Sequence, residues 1–242
     1  MRALILGGTG EGREVARLLV ERGWHVTSSL AGRVSAPKLP VGEVRIGGFG
    51  GPAGLTSWLL NQGVEVVIDA THPFAERISQ SAAEAARATG IPLIALHRPA
   101  WVKQKGDKWI EVGSMQEAAE QASRFAHVLL TIGRQQLAAF ANDPHNLYVI
   151  RTVEPPSAPL PPRHRVITSR GPFALEDEKA LMIGNQIDVL VTKNSGGTLT
   201  EAKLQAANQL GIPVIMVQRP PLPKVALQAS TPKEVLSLIE RI

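Results

Sequence analysis

The chain contains no cysteine. That absence excludes disulfides, Cys-ligated zinc, iron–sulfur clusters and a thiolate nucleophile together, and it suits a cytoplasmic protein. Tyrosine occurs once, at Tyr148, and four residues on stands Thr152 instead of lysine. The dehydrogenase and epimerase chemistry built on a Tyr-x-x-x-Lys pair is therefore not expected. Aromatic residues make up only 4% of 242, and there is no run of Lys or Arg. Nucleic-acid binding needs clustered base and stacking rings, so the excess of 26 basic over 21 acidic residues, a net +5, is better spent on a polyanionic small molecule. No window of 18 apolar residues exists, so no membrane span is expected. The opening Met1-Arg2-Ala3-Leu4-Ile5-Leu6-Gly7-Gly8 reads as a buried strand, not a signal peptide. His25, His72, His97, His127, His145 and His164 never pair at metal-ligand spacing, and no metal is expected. A Gly-x-Ser-x-Gly elbow and a P-loop Gly-Lys-Ser/Thr are both missing.

What is present alternates. Short apolar runs predict strands at 3–6, 25–30, 43–46, 64–69, 92–96, 109–112, 128–131, 147–152, 165–168, 187–192 and 214–218. Amphipathic patterns predict helices at 13–22, 55–62, 74–89, 115–126, 135–141, 174–183, 199–209 and 233–242. Fully apolar strands followed by such helices mean parallel sheets covered on both faces. Ser114-x-x-Glu117, Thr198-x-x-Glu201 and Thr231-x-x-Glu234 read as capping boxes, the last with Pro232 at the first helical position. Glu176, Asp177 and Glu178 suit a first helical turn. The Pro-rich stretch at 155–162 cannot pair inside a sheet and reads as a stiff surface loop.

One internal repeat organises the chain. Gly90-Ile91-Pro92-Leu93-Ile94-Ala95-Leu96-His97-Arg98-Pro99 matches Gly211-Ile212-Pro213-Val214-Ile215-Met216-Val217-Gln218-Arg219-Pro220 at an offset of 121. Without gaps the same offset pairs Thr71 with Thr192 and Ala85-Ala86 with Ala206-Ala207. Gly-Ile-Pro alone is a common helix-to-strand turn, but the paired Thr, Ala-Ala and Arg-Pro argue against coincidence. Two copies are too few for a solenoid. The pairing predicts two similar doubly wound parallel-sheet α/β domains facing a cleft, residues 1–98 and 99–242.

The first strand runs into Gly7-Gly8-Thr9-Gly10-Glu11-Gly12-Arg13 and then a helix. A doubly wound domain binds a dinucleotide pyrophosphate there, on glycine backbone and helix N–H groups. The match to G-x-G-x-x-G is imperfect, and a structural turn is the alternative. The second strand ends Thr27-Ser28-Ser29-Leu30-Ala31-Gly32-Arg33, with no acid for the ribose hydroxyls. Small hydroxyls at Ser29, the Ala31-Gly32 turn and a guanidinium at Arg33 suit a 2′-phosphate, so NADPH/NADP is expected over NAD; Arg33 as a solvated surface charge is the alternative. Phe49, within the glycine-flanked turn after the third strand, borders the adenine or only shapes the turn. Thr71, His72, Pro73 and Phe74 follow the fourth strand, at the nicotinamide end, where His72 is a candidate catalytic group or a structural histidine. In the second half, Lys193, Ser195 and Gly196 form a strand-to-helix loop with anion-binding donors, Arg170 has the same context, and Arg98 and Arg219 occupy equivalent repeat positions. Each of these cations alone reads as a solvated charge; their convergence on strand ends makes them candidates for binding the acidic substrate.

The motifs Gly7-Gly8-Thr9-x-Glu11-Gly12-Arg13, Ala31-Gly32-Arg33, Asp69-Ala70-Thr71-His72-Pro73-Phe74-Ala75, Arg98-Pro99-x-Trp101 and Thr192-Lys193-x-Ser195-Gly196 resemble, in order and over nearly the whole chain, the precorrin-6A reductase family of cobalamin biosynthesis. The resemblance implies Rossmann-like domains and NADPH-dependent reduction of a ring double bond in a polycarboxylate tetrapyrrole. Close relatives reduce the cobalt-containing substrate, and the motifs separate the two poorly. A non-catalytic NADP(H)-sensing module remains a rival reading of the first domain alone.

Overall fold

The computed structural model describes residues 1–32 and 38–242. In chain order the elements are β1 (Arg2–Leu6), α1 (Gly10–Val20), β2 (His25–Leu30), β3 (Glu43–Ile46), α2 (Gly51–Gln62), β4 (Val66–Asp69), α3 (Glu76–Thr89), β5 (Leu93–Leu96), β6 (Trp109–Val112), α4 (Met115–Ala122), β7 (His127–Leu130), a 3₁₀ turn (Leu137–Phe140), β8 (Leu147–Thr152), β9 (His164–Thr168), α5 (Leu175–Gly184), β10 (Val189–Lys193), α6 (Ala202–Leu210), β11 (Val214–Val217), β12 (Leu227–Ala229) and α7 (Pro232–Ile239).

Two compact units result, Met1–Pro99 with Pro220–Ile242, and Ala100–Arg219. Each has one six-stranded sheet, ordered β12-β5-β4-β1-β2-β3 in the first and β6-β11-β10-β7-β8-β9 in the second. Every strand pair is parallel. The first order reverses between β1 and β4 and the second between β7 and β10, and such a reversal opens a crevice at the strands' carboxyl ends.

In the first unit alternate residues of β1 supply both cores. Ala3 and Ile5 pack with Val15, Ala16 and Leu19 of α1 and Val235 and Ile239 of α7. Leu4 and Leu6 pack with Leu55 and Leu59 of α2 and Ala82 and Ala85 of α3. A buried leucine of this kind contributes about 1.5–3 kcal/mol. In the second unit Leu129, Val149, Met182, Leu190, Leu204 and Met216 form the corresponding layer.

The structure departs from the sequence expectations in four places. The last residues do not stay with the second unit: β12 pairs with β5, Leu227 opposite Ile94 and Ala229 opposite Leu96, and α7 packs in the first core. The region expected as a helix at 135–141 is only the 3₁₀ turn. The Thr198 box does not form. Helix α6 starts at Ala202 with Glu201 as cap and no side-chain cap bond, whereas Ser114 and Thr231 do accept from Glu117 N and Glu234 N. Finally, Val67 lies opposite Leu93 and Leu190 opposite Val214, so sheet register matches Asp69, not Thr71, to Thr192. Thr71 then corresponds to Asn194. The shorter α6 absorbs the two-residue difference.

A partly buried polar pair in the second unit makes acid stability testable. Tyr148 Oη donates to Asp143 Oδ2 at 2.6 Å, and the His145 and Asn146 amides donate to Oδ1. Burial pushes the Asp143 carboxyl up, but these donors outweigh it and hold it below its ordinary value. Burial, and then Asp143, raise the Tyr148 phenol. A depressed carboxylate stabilises the fold fully above its unfolded pKa of about 3.9 and loses that contribution as pH falls through the folded value. Tyr148→Phe is expected to cost about 1–3 kcal/mol at neutral pH, since it strips a donor from a partly buried carboxylate. Urea unfolding at pH 7 and at pH 3 checks this: the deficit should shrink in acid, and an equal deficit at both would remove Asp143 from the account.

Candidate functional site

The turn from β1 into α1 is built around Thr9. Its Oγ1 donates to the Ala70 carbonyl at 2.7 Å and accepts from Gly12 N at 3.1 Å, so one hydroxyl caps the helix and ties its start to the end of β4. Gly8 has φ +115, and a Cβ there would meet nothing within 4 Å. Gly12 is the opposite case: a Cβ would lie 3.2 Å from that of Ala70. The first glycine leaves open space beside the helix start, and the second lets helix and strand approach. A Cβ on Gly10 would sit 3.7 Å from the Arg13 guanidinium, which places Arg13 over the same turn. Glu11, in the first turn, accepts from Arg98 Nη1 at 3.1 and 3.2 Å. Two groups that the sequence assigned to different ligands are thus an ion pair with each other.

At the end of β2 no acid is found. Ser29 is 8% exposed, Ala31 and Gly32 are exposed, and Gly32 has φ +68. Arg33 lies outside the described residues. The residue that sequence reasoning missed is Arg45. It pairs across the sheet with Ser29, and its Nη1 donates to Ser29 Oγ at 3.1 Å and to Gly47 O at 2.9 Å. Nη2 donates to Gly48 O at 2.9 Å. The guanidinium carbon stands 3.8 Å from the Phe49 ring centroid, and Phe49 meets the edge of Trp58 at 5.4 Å. The signal was available: Arg45 is the penultimate residue of a strand whose alternation points it to the face of Ser29.

Beyond β4, the Thr71 N–H and Oγ1 both donate to Asp69 Oδ1, at 3.1 and 2.6 Å. His97 Nε2, after β5, lies 3.9 Å from Asp69 Oδ2. The His72 ring accepts the Phe74 N–H on Nδ1 at 3.3 Å, so the neutral imidazole carries its proton on Nε2. Pro73 is buried beside it.

In the second unit, Asn194 holds Trp101 through a two-way amide contact. Its Oδ1 accepts from Trp101 N at 2.8 Å and its Nδ2 donates to Trp101 O at 3.1 Å. Trp101 Nε1 donates to Gly197 O at 3.0 Å, and Lys203 Nζ stands 4.9 Å from the indole. Arg219 Nε donates to Asn194 O at 2.8 Å, so part of that guanidinium shapes the loop. Ser195 is buried, Gly196 has φ +65, Lys193 is half-buried and Arg170 is exposed. Because α6 begins only at Ala202, the loop does not open directly onto a helix N-terminus as the sequence suggested. Among the described residues no three His, Asp or Glu side chains are placed to hold a metal, and no helix is long and apolar enough to cross a membrane.

Two doubly wound units, the first with a strand–glycine turn–helix start and no acid on its second strand, define a two-domain dinucleotide-type α/β fold. Comparison with known proteins narrows this. Residues 2–240 match the family model described as precorrin-6x reductase CbiJ/CobK. A precorrin-6A reductase of Rhodococcus erythropolis is 51% identical over 224 residues, 92% of this chain and 90% of the relative. A cobalt-precorrin-6A reductase of Priestia megaterium is 31% identical over 233 residues, 90% of each chain. A solved structure of CobK precorrin-6A reductase superposes with TM-score 0.93 at 41% identity, over 100% of this chain and 96% of the other. The chain belongs to the precorrin-6x reductase family.

Proposed function

We propose that this chain uses NADPH to reduce precorrin-6A to precorrin-6B, adding one hydride and one proton across a ring double bond, within cobalamin biosynthesis. The observation that carries the reading is the open cradle at Gly8 beside the capped start of α1, in a chain with 51% identity to a precorrin-6A reductase. The first unit's residues fit a dinucleotide: bare backbone at Gly8, close helix–strand contact at Gly12, and no carboxylate on β2 to repel a 2′-phosphate.

When bound, the reduced nicotinamide supplies the hydride. The chain's own residues then bind and orient. The amides from Thr9 to Arg13 and the Arg13 side chain take the pyrophosphate; Thr9 Oγ1 is already committed to the helix cap. Arg98, expected from the sequence as a substrate residue, is reassigned to offsetting the Glu11 charge at this turn. Arg33 remains a proposed 2′-phosphate ligand. Thr71, Pro73 and Phe74 border the nicotinamide end, and His72, which must be in its imidazolium form to act as the acid, is the proposed proton donor. The substrate's carboxylates are given to Lys193, Arg170, Ser195, the Gly196 amide and Arg219.

The metal-free substrate is favoured over its cobalt form by the relatives: precorrin-6A reductases are 43–51% identical, and cobalt-precorrin-6A reductases 28–31%. Purified enzyme mixed with NADPH and precorrin-6A should consume one reduced dinucleotide per macrocycle, faster than with cobalt-precorrin-6A. Dinucleotide binding without consumption on either macrocycle would leave the sensing module instead. His72→Ala is expected to slow single-turnover reduction by about 10²-fold or more, the usual share of a positioned acid; an unchanged rate would hand the proton to water.

A further inference from the structure

We propose that Arg45, with Phe49 beneath it, is a further residue that selects the phosphorylated dinucleotide, by gripping the 2′-phosphate of the adenosine moiety. The inference rests on the NADPH reading above and adds to it a residue and a platform that the glycine turn alone does not supply. In a doubly wound unit the adenosine ribose lies outside the carboxyl end of the second strand. Here that end carries Ser29, and Arg45 is its neighbour across the sheet.

Three features mark Arg45 as a built anion site. First, it is fixed in advance. Both terminal nitrogens are anchored, on Ser29 Oγ, Gly47 O and Gly48 O, so little freedom is lost on binding. Second, its charge is not neutralised. All these partners are neutral oxygens, and none of the ion pairs among the described residues involves it. The one acid on the same face of β3, Glu43, accepts instead from Thr27 at 3.0 Å. A half-buried guanidinium without a counter-charge is costly unless a ligand provides one. Third, the surroundings leave room for a base. A Cβ at Gly47, Gly48, Gly50 or Gly51 would meet nothing within 4 Å, so Phe49 is the single side chain that the turn raises beside the guanidinium. An anion without a base would have no use for that bare, aromatic-floored turn. The nucleoside phosphate uses both halves.

The test is calorimetric and does not depend on turnover. Adenosine 2′,5′-bisphosphate, 5′-AMP, NADPH and NADH are titrated into the wild-type protein, Arg45→Met and Arg45→Lys, with circular dichroism confirming the fold of each. Arg45→Met keeps an apolar stem on Phe49 and removes the charge. It should weaken adenosine 2′,5′-bisphosphate and NADPH by about 30-fold, the order set by losing charge-assisted bonds to one phosphate, and change 5′-AMP and NADH by less than about 3-fold. Arg45→Lys, which keeps charge but not the fork, should fall between. If Arg45→Met does not fold, the Lys variant decides: an NADPH-to-NADH preference unchanged from wild type overturns the proposal. Equal losses for both dinucleotides also overturn it while leaving the cofactor reading intact. A wild-type protein that binds none of the four ligands overturns both.

Discussion

Gly12→Val is expected to lower the melting temperature by about 8 °C and to abolish measurable NADPH binding. A bare Cβ at this position already stands 3.2 Å from that of Ala70 and 3.4 Å from Thr9 Oγ1. A branched side chain must push α1 off β4, at an overpacking cost of about 1–3 kcal/mol. It also disturbs the Thr9 cap, worth about 1 kcal/mol. At about 2–4 °C per kcal/mol for a chain of this size the shift follows. Gly8→Val is the informative partner. Nothing lies within 4 Å of its Cβ, so the branch point itself meets no protein atom. The backbone at φ +115 still costs about 1–3 kcal/mol for a residue with a side chain, but the cradle itself is filled. Gly8→Val should therefore lose dinucleotide binding with a smaller thermal shift than Gly12→Val. Differential scanning calorimetry with and without NADPH separates the two. Normal NADPH stabilisation of Gly8→Val would move the phosphates away from this turn.

Glu178→Ala is expected to destabilise the second unit by about 3–5 kcal/mol, the usual cost of stranding one member of a buried ion pair. Arg151 and Glu178 are 8% and 1% exposed, and Arg151 Nη1 donates to Glu178 Oε1. The guanidinium also lies 3.9 Å from the Phe173 ring centroid, and among the described residues its ion pair is with Glu178 alone. The double variant Arg151→Met/Glu178→Leu should regain most of the stability, because the pair's mutual attraction largely offsets its own desolvation. Urea unfolding of the three variants forms the comparison. A Glu178→Ala protein within about 1 kcal/mol of wild type would show that water reaches the pair and that the site is not dry.

The parallel sheets were legible because fully apolar runs such as Ala3-Leu4-Ile5-Leu6 and Val66-Val67-Ile68 bury both faces, and such runs have few other uses. The glycine turn was legible for a similar reason: few contexts need that much bare backbone between a strand and a helix. What escaped was non-local. β12 spans only Leu227–Ala229, too short for any periodicity, and its partner lies some 130 residues earlier on β5. The Thr198 box failed because a Ser/Thr-x-x-Glu pattern records a preference, whereas the backbone of the Lys193–Gly197 loop is set by Asn194, Trp101 and Arg219. The repeat was real in the sheet but misaligned by two residues at Thr71, since a gapless offset cannot see a shorter helix. Arg45 was missed because its role appears only when β3 is laid beside β2. Glu11 and Arg98 were each noticed, but 87 residues of sequence separation hid their pairing.

The central claim is hydride transfer from a nicotinamide held by the first unit to a carbon of the macrocycle. Single-turnover reduction of precorrin-6A with NADPH deuterated at the transferring carbon, followed by mass spectrometry and NMR of the product, tests it most directly. One deuterium bound to a ring carbon of the product, with the second new hydrogen drawn from solvent water, is the predicted result. Label retained on the dinucleotide or released to water while the macrocycle is reduced would contradict it.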